Sequence, residues 1–322
     1  MATRESHQLK NRRFGGANVK NILSRLQGHL GWHYRNARRL IKKRAAEVVP
    51  EHGIGRLMLR NRLSRRSITS KAGPVVSLTT YGARAKTVYL AIESIACGDV
   101  RPSRLILWLD DVRIMEALPA PLKRLQSRGL EIRLCENFGP HTKYFAYITS
   151  EPNSDAPLVT ADDDVIYPAS WLEDLANAFE ENPRIISCQR ARIVGIDHGS
   201  LMPFRTWKFC DSTDPKVGYF FEGVSGVIYP PAFLDKLRAE GKRFSEICPK
   251  HDDLWLNLIA LRNAWPIRQI RRQAAHFHLI PDTQAEGLWA QNMGDAGDLQ
   301  IGKVFALSDI ALLESAAPEL RR

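Results

Sequence analysis

The chain is poor in cysteine. Cys97, Cys135, Cys188, Cys210 and Cys248 are scattered through 322 residues, and no two form a CxxC pair. An odd, dispersed set excludes a disulfide framework and a zinc site of ordinary spacing, so a reducing, cytoplasmic setting is expected. No run approaches the ~18 apolar residues that a membrane-spanning helix requires. The N-terminus lacks an apolar stretch ahead of a small-residue cleavage site, so no secretory leader is expected. Acidic residues are scarce at one end only. Residues 1–72 hold Glu5, Glu47 and Glu51 against 18 Lys and Arg, a net of +15, whereas residues 73–322 carry a net of −4. The overall charge of +11 therefore describes a basic extension (1–72) ahead of a mildly acidic globule (73–322).

Within the extension, Met1 to Lys20 is polar and reads as disordered. From Asn21 to Val49 a helical spacing links Leu26, Leu30, Tyr34, Ala37, Leu40, Ile41, Ala45 and Val48, with Arg35, Arg38, Arg39, Lys42, Lys43 and Arg44 crowded around them. Such a helix suits an anionic membrane surface, where attachment would be peripheral, or nucleic acid, or is simply solvated. No helix-turn-helix, zinc-finger or RNA-binding signature supports nucleic acid. The charge density drops near Lys71-Ala72-Gly73-Pro74, and strands then alternate with helices. Strands are expected at 74–80, 104–109, 130–134, 157–160 and 185–188, and helices at 87–97, 119–128, 143–149 and 171–181. Strands separated in this way predict right-handed crossovers and an α/β fold with a mostly parallel, Rossmann-type sheet flanked by helices. Ligands of such sheets sit beyond the carboxyl ends of the strands, which directs attention to the residues just after each one.

The densest chemistry there is Asp162-Asp163-Asp164, delivered by an apolar strand and followed by Val165-Ile166. Three adjacent aspartates repel one another unless a cation or a hydrogen-bond network neutralises them. Their oxygens suit Mn²⁺ or Mg²⁺, which would bridge substrate phosphates; the plainer alternative is an acidic turn ahead of the helix at Trp171. Asp110 and Asp111 end the second strand and fit either a ligand contact or a helix start. His276 and His278 alternate on one strand, so both imidazoles share a face, in a metal shell or in a structural role.

The triplet resembles the DxD motif of glycosyltransferases with the GT-A fold, and other segments extend the likeness across roughly residues 74–305. Val76-Ser-Leu-Thr-Thr-Tyr-Gly-Ala-Arg84 is similar to the first strand and nucleotide-facing loop of a bacterial polysaccharide glycosyltransferase group. Phe138-Gly-Pro-His-Thr-Lys143 resembles the segment that group places ahead of the DxD strand. Gly223-Val-Ser-Gly226 resembles its substrate-side glycine loop, and His251-Asp-Asp-Leu-Trp-Leu256 its acidic acceptor-base motif. The basic extension lies outside the resemblance.

The resemblance implies a nucleotide-diphosphate sugar donor, a UDP-sugar first among them, and a glycan or lipid-linked acceptor at the cell surface. Thr79, Thr80, Arg84, Asp110, Asp111, Lys143, Asp162, Asp163, Gly223 and Gly226 would contact the donor. Asp162 and Asp164 would hold the metal, joined by His276 or His278. Asp253 would be the general base and Asp252 a helix cap or acceptor contact, which favours inversion. Lys143 has a solvated alternative, and Glu222 reads as a surface carboxylate that could otherwise touch sugar hydroxyls. A nucleotidyltransferase is the rival enzyme, although Thr79-Thr-Tyr-Gly82 holds one glycine where a phosphate loop needs several. A nucleic-acid-binding protein acting through the basic extension is the rival from another class.

Overall fold

Apolar runs punctuated by Pro and Gly form the strands of this protein. A computed structural model describes residues 46–48, 50–283 and 295–316. In chain order the strands begin with β1 (Ala46–Val48), β2 (Val75–Thr79), β3 (Arg104–Leu109), β4 (Leu130–Leu134), β5 (Leu158–Thr160) and β6 (Val165–Ile166). There follow β7 (Ile186–Cys188), β8 (Ala191–Ile193), β9 (Ile196–Asp197), β10 (Ser200–Leu201) and β11 (Lys208–Phe209). The last are β12 (Tyr219–Phe221), β13 (Val227–Tyr229), β14 (Ile267–Gln269) and β15 (Ala275–Leu279).

Seven of them make the central sheet in the order β14-β7-β13-β5-β2-β3-β4. β5, β2, β3 and β4 run parallel, as do β7 and β14, while β13 is antiparallel to both of its neighbours. The mixed α/β class and mostly parallel sheet agree with the strand-helix alternation in the sequence. Every strand and helix expected between residues 74 and 188 forms, with ends shifted by a residue or two. The antiparallel β13 was not foreseen; the chain reverses between β8 and β12, and β13 continues the direction of β12 past the glycine turn at residues 223–226.

Side-chain alternation divides the core into two layers. Val76, Leu78, Leu105 and Leu107 face the helices Val88–Ala96 and Trp171–Glu181 through Ile92, Ile95, Leu172 and Leu175. Val75, Ile106 and Trp108 face the opposite layer, with Tyr144 and Phe145 of the helix Thr142–Ser150 and Trp255 and Leu258 of the helix Asp252–Arg262. Because β2, β3 and β5 are parallel, Thr80, Asp110 and Asp162, each just past a strand, emerge at one sheet edge. β6, immediately after the aspartates, pairs with β15 and so brings His276 and His278 alongside.

The basic segment differs from expectation. Ala46–Val48, read as the end of a helix, is a strand parallel to β15. The helix Ile54–Leu63 buries Leu57 completely, and Ile68 is buried beyond it. Residues 46–70 thus pack with the globule, and the compact unit begins at residue 45 rather than 73. The expected disorder of Met1 to Lys20 and the helix from Asn21 up to residue 45 lie outside the described residues.

Buried Glu93 locks this helix in place. It accepts from Arg128 at 2.5 Å and from the Asn61 side-chain amide at 3.1 Å, and Arg60 lies 3.3 Å away. Glu93 has no solvent exposure and the Arg128 side chain almost none, so removing one partner leaves a buried charge. Arg128→Leu is expected to lower the unfolding free energy by about 3–5 kcal/mol, measured by chemical denaturation; a change below ~1 kcal/mol would contradict this account.

Candidate active site

Four segments that are distant in sequence meet around one ammonium group. Lys143 belongs to the first turn of the helix Thr142–Ser150, and its Nζ lies 2.9 Å from Asp162 Oδ1 and 3.0 Å from Asp252 Oδ2. The lysine is buried, which overturns its solvated alternative. Burial opposes its charge, but Asp162, Asp252 and Asp253 hold its pKa well above the ordinary lysine value. The backbone N–H of Gly223 donates to both carboxylate oxygens of Asp253 at 3.1 Å. A Cβ at residue 223 would stand 2.7 Å from Asp253 Oδ1 and 3.5 Å from Lys143 Nζ, so only glycine lets the carboxylate approach.

The second half of the triad binds a different cation. Thr80 Oγ1 donates to Asp163 Oδ2 at 2.6 Å, and Arg84 donates to Asp163 Oδ1 at 2.7 Å. The same guanidinium lies 3.1 Å from Asp164 Oδ2, donates to the Thr283 carbonyl at 2.8 Å, and packs 5.4 Å from the Tyr81 ring centroid. Burial still pushes the Asp163 carboxyl above its usual range despite Arg84. The backbone N–H of Asp162 donates to the buried Tyr167 hydroxyl at 2.7 Å, a fixing contact that the sequence did not single out. Of the three aspartates, Asp162 has the most exposed side chain, 24% against 6% and 12% for Asp163 and Asp164. It is the member best placed to meet a ligand.

Other expected residues hold different posts. Thr79 Oγ1 donates to the Trp108 carbonyl at 3.2 Å. Asp111 is the N-cap of the short helix Val112–Glu116, accepting from the Arg113 N–H at 2.9 Å, so its helix-start alternative is the observed one. Asp110 lies beside it, outside the Lys143 and Arg84 clusters. Gly226 adopts φ +96°, and a Cβ there would lie 2.5 Å from the Trp171 indole nitrogen, so it serves the turn into β13 and close packing. Glu222 is buried rather than a surface carboxylate, ion-paired to both Arg190 and Arg192. Arg192 stacks on Phe209 (4.1 Å) and Phe204 (4.7 Å).

The four residues expected at a metal do not converge. Asp162 pairs with Lys143 and Asp164 with Arg84, and the His276 Nδ1 lies 3.4 Å from the Arg190 guanidinium, a cation. Among the described residues, no three His, Cys, Asp or Glu side chains group as a metal site. As arranged here, the triad is neutralised by the chain's own cations and does not fit a divalent ion.

Asp252 and Asp253 open the helix Asp252–Arg262, yet neither side chain caps it; His251 occupies the N-cap position. Burial opposes ionisation of Asp252, but Lys143 and His141 bring its carboxyl below the ordinary range. Partial burial and the neighbouring charge of Asp252 push Asp253 well above it. His141 was also missed in the sequence. Its Nε2 lies 2.9 Å from the Cys248 carbonyl and its Nδ1 2.9 Å from the Tyr144 hydroxyl, and burial lowers its pKa to about 4. It fixes the loop leading to the aspartate pair.

No protein-family model matches the chain, and no characterised protein sequence is similar to it. Among solved structures, S. aureus TarS 1–349 in complex with UDP overlaps with TM-score 0.41 at 14% identity, covering 64% of this chain and 60% of that one. GalNAc-T7 with UDP, GalNAc and Mn²⁺ overlaps with TM-score 0.43 at 12% identity, over 67% of this chain and 45% of that one. A CMP:2-keto-3-deoxy-manno-octonic acid synthetase complexed with CTP overlaps with TM-score 0.40 at 12% identity, over 69% of this chain and 100% of that one. The overlap thus spans less than two thirds of the first and second of these chains.

The opposed pKa shifts of the pair give opposite stability signatures. A carboxyl raised on folding loses stability as pH climbs through its folded pKa, whereas one lowered contributes stability that disappears as pH falls. Asp253→Asn should therefore raise Tm at neutral pH, with the gain vanishing near and below pH ~4. Asp252→Asn should lower Tm at neutral pH, with the loss shrinking in acid. Melting curves across pH check both; equal shifts of one sign would contradict the assignment.

Proposed function

We propose that the protein is a glycosyltransferase that moves a sugar from a nucleotide-diphosphate donor, a UDP-sugar first, to a hydroxyl of a glycan or lipid-linked acceptor. The observation that carries this reading is the bridge of Lys143 between Asp162 and Asp252, with Asp253 held at the Gly223 N–H. It joins the donor-side triad to an acceptor-side acid pair within the reach of one ammonium group.

In this reading the donor lies across the carboxyl ends of β2, β3 and β5, with Thr79, Thr80 and Arg84 on the nucleotide side. Asp162 contacts the ribose or sugar. An ammonium has three N–H donors; on Lys143 one donates to Asp162 and a second faces Asp252, with which the charge is ion-paired. We assign the third to the departing diphosphate, whose negative charge grows as the sugar leaves. Arg84, a planar five-donor cation, meets the other phosphate oxygens.

Asp253 takes the proton of the acceptor hydroxyl. The oxygen then bonds to the anomeric carbon as the carbon–phosphate oxygen bond breaks, and the nucleoside diphosphate leaves with the electron pair. Asp253 suits this role better than Asp252 because it is the more exposed of the two and its raised pKa makes it the stronger base. A single base opposite the leaving group favours inversion. When bound, a divalent ion would add charge neutralisation at the diphosphate; the chain alone does not present its site.

Three measurements test this reading. Screening of nucleotide sugars for release of nucleoside diphosphate, beside nucleoside triphosphates for release of pyrophosphate, is expected to give the former; pyrophosphate alone would favour nucleotidyl transfer. Asp253→Asn is expected to keep donor affinity and lose about 10²–10⁴-fold in transfer rate, while the rate of the unmodified enzyme rises with pH above the ordinary carboxylate range. Near-normal transfer by this variant would remove the base assignment. In calorimetry the chain alone should show no saturable Mn²⁺ binding, because Arg84 and Lys143 occupy the triad; a saturable site without donor would overturn that arrangement.

A further inference from the structure

The helix Ile54–Leu63 presents a solvent face that is both apolar and basic. Leu57 and Asn61 point inward, where Asn61 binds Glu93 and the Pro121 carbonyl. At about 100° per residue, Arg56, Met58, Leu59, Arg62 and Leu63 share the opposite arc, and all five are exposed. Met58 is 40% exposed, Leu59 56% and Leu63 69%. Single exposed apolar residues are ordinary, but three on one face of a ten-residue helix, interleaved with arginine, are not.

From the helix to Ile92 the chain itself carries charge of one sign only. Arg65 and Arg66 follow the helix and are exposed, and no Asp or Glu occurs between Glu51 and Glu93 in the sequence. Beside the helix end lies a shallow depression of about 430 Å³, lined by Arg62, Ser64, Arg65, Arg124 and Ser127 among others and by no carboxylate.

We propose that this face docks on an anionic phospholipid surface. Met58, Leu59 and Leu63 enter the boundary between headgroups and acyl chains, while Arg56, Arg62, Arg65 and Arg66 meet phosphates, one of them in the depression. Charge complementarity selects an anionic partner. The three apolar side chains select lipid over nucleic acid, whose phosphate backbone offers them nothing to bury against. No helix among the described residues is long and apolar enough to cross a membrane. The inference does not rest on the transfer reaction, and vesicle partition is measured without it.

The full chain should co-sediment with vesicles of phosphatidylcholine mixed with phosphatidylglycerol, stay in solution with phosphatidylcholine alone, and come off in high salt. Replacing Arg62, Arg65 and Arg66 together by Gln is expected to lower the partition coefficient by about two orders of magnitude. Replacing Met58, Leu59 and Leu63 by Ser should lower it by about tenfold or more. Melting temperature confirms folding in each case; if a triple variant unfolds, Leu63→Ser alone carries the test at the most exposed position. Vesicle binding unchanged in both sets would overturn the proposal by placing the attachment elsewhere in the chain. Binding lost with the arginines yet unaffected by the apolar set would overturn it in favour of a polyanion such as nucleic acid.

Discussion

A buried ammonium needs anions around it, and the candidate site is organised by that need. Lys143 lies in a helix packed against the sheet, with its side chain in a desolvated position that would expel the charge if it stood alone. Asp162 from the end of β5 and Asp252 from the start of the helix Asp252–Arg262 supply the compensation. Asp252 is itself buried, so its charge depends in turn on the lysine. Three segments separated by up to 109 residues are thereby held in one geometry.

The same logic repeats at the edges of the site. Arg84 gathers Asp163 and Asp164, and Glu222 gathers Arg190 and Arg192. Buried ion pairs add little net stability compared with apolar packing, yet breaking one is expensive because the remaining charge is stranded. A network of this kind makes the relative placement of loops all-or-none. Within the site, Asp253 shares the Lys143 charge with Asp162 and Asp252 and forms no direct ion pair among the described residues. Asp253 is held by a backbone N–H and repelled by its neighbour Asp252, which is the environment that turns a weak carboxylate base into a stronger one.

Glycine sets the approach distances. At Gly223 the backbone comes close enough for its N–H to bind Asp253, and at Gly226 the left-handed turn slides under the Trp171 indole. β13 leaves that turn in the same direction as β12 and wedges, antiparallel, between β5 and β7. The loop whose N–H binds Asp253 is thus anchored on one side to the strand that delivers the triad.

Much of the fold was legible in the sequence because burial writes itself into local patterns. The apolar strands at 104–109 and 158–160, the helix at 171–181 and the emergence of Asp162 at a strand end all follow from period-2 and period-3.6 spacing between turn residues. The types of residue in the candidate site were legible too, since acidic and glycine motifs occur at strand and helix ends. Pairing was not. That Lys143 would be buried, that Glu222 would be enclosed by two arginines, that Asp111 would merely cap a helix, and that the triad would be neutralised by Arg84 and Lys143 depend on which loops meet in space. The antiparallel β13 and the strand at 46–48 likewise depend on a partner far along the chain. Composition marked residues 46–70 as part of a basic extension, whereas Leu57, Ile68 and the Glu93 network bind them to the globule. Local spacing determines which residues are apolar on one face; only the tertiary structure decides which charges face each other, because electrostatic partners are chosen by distance and desolvation rather than by sequence order.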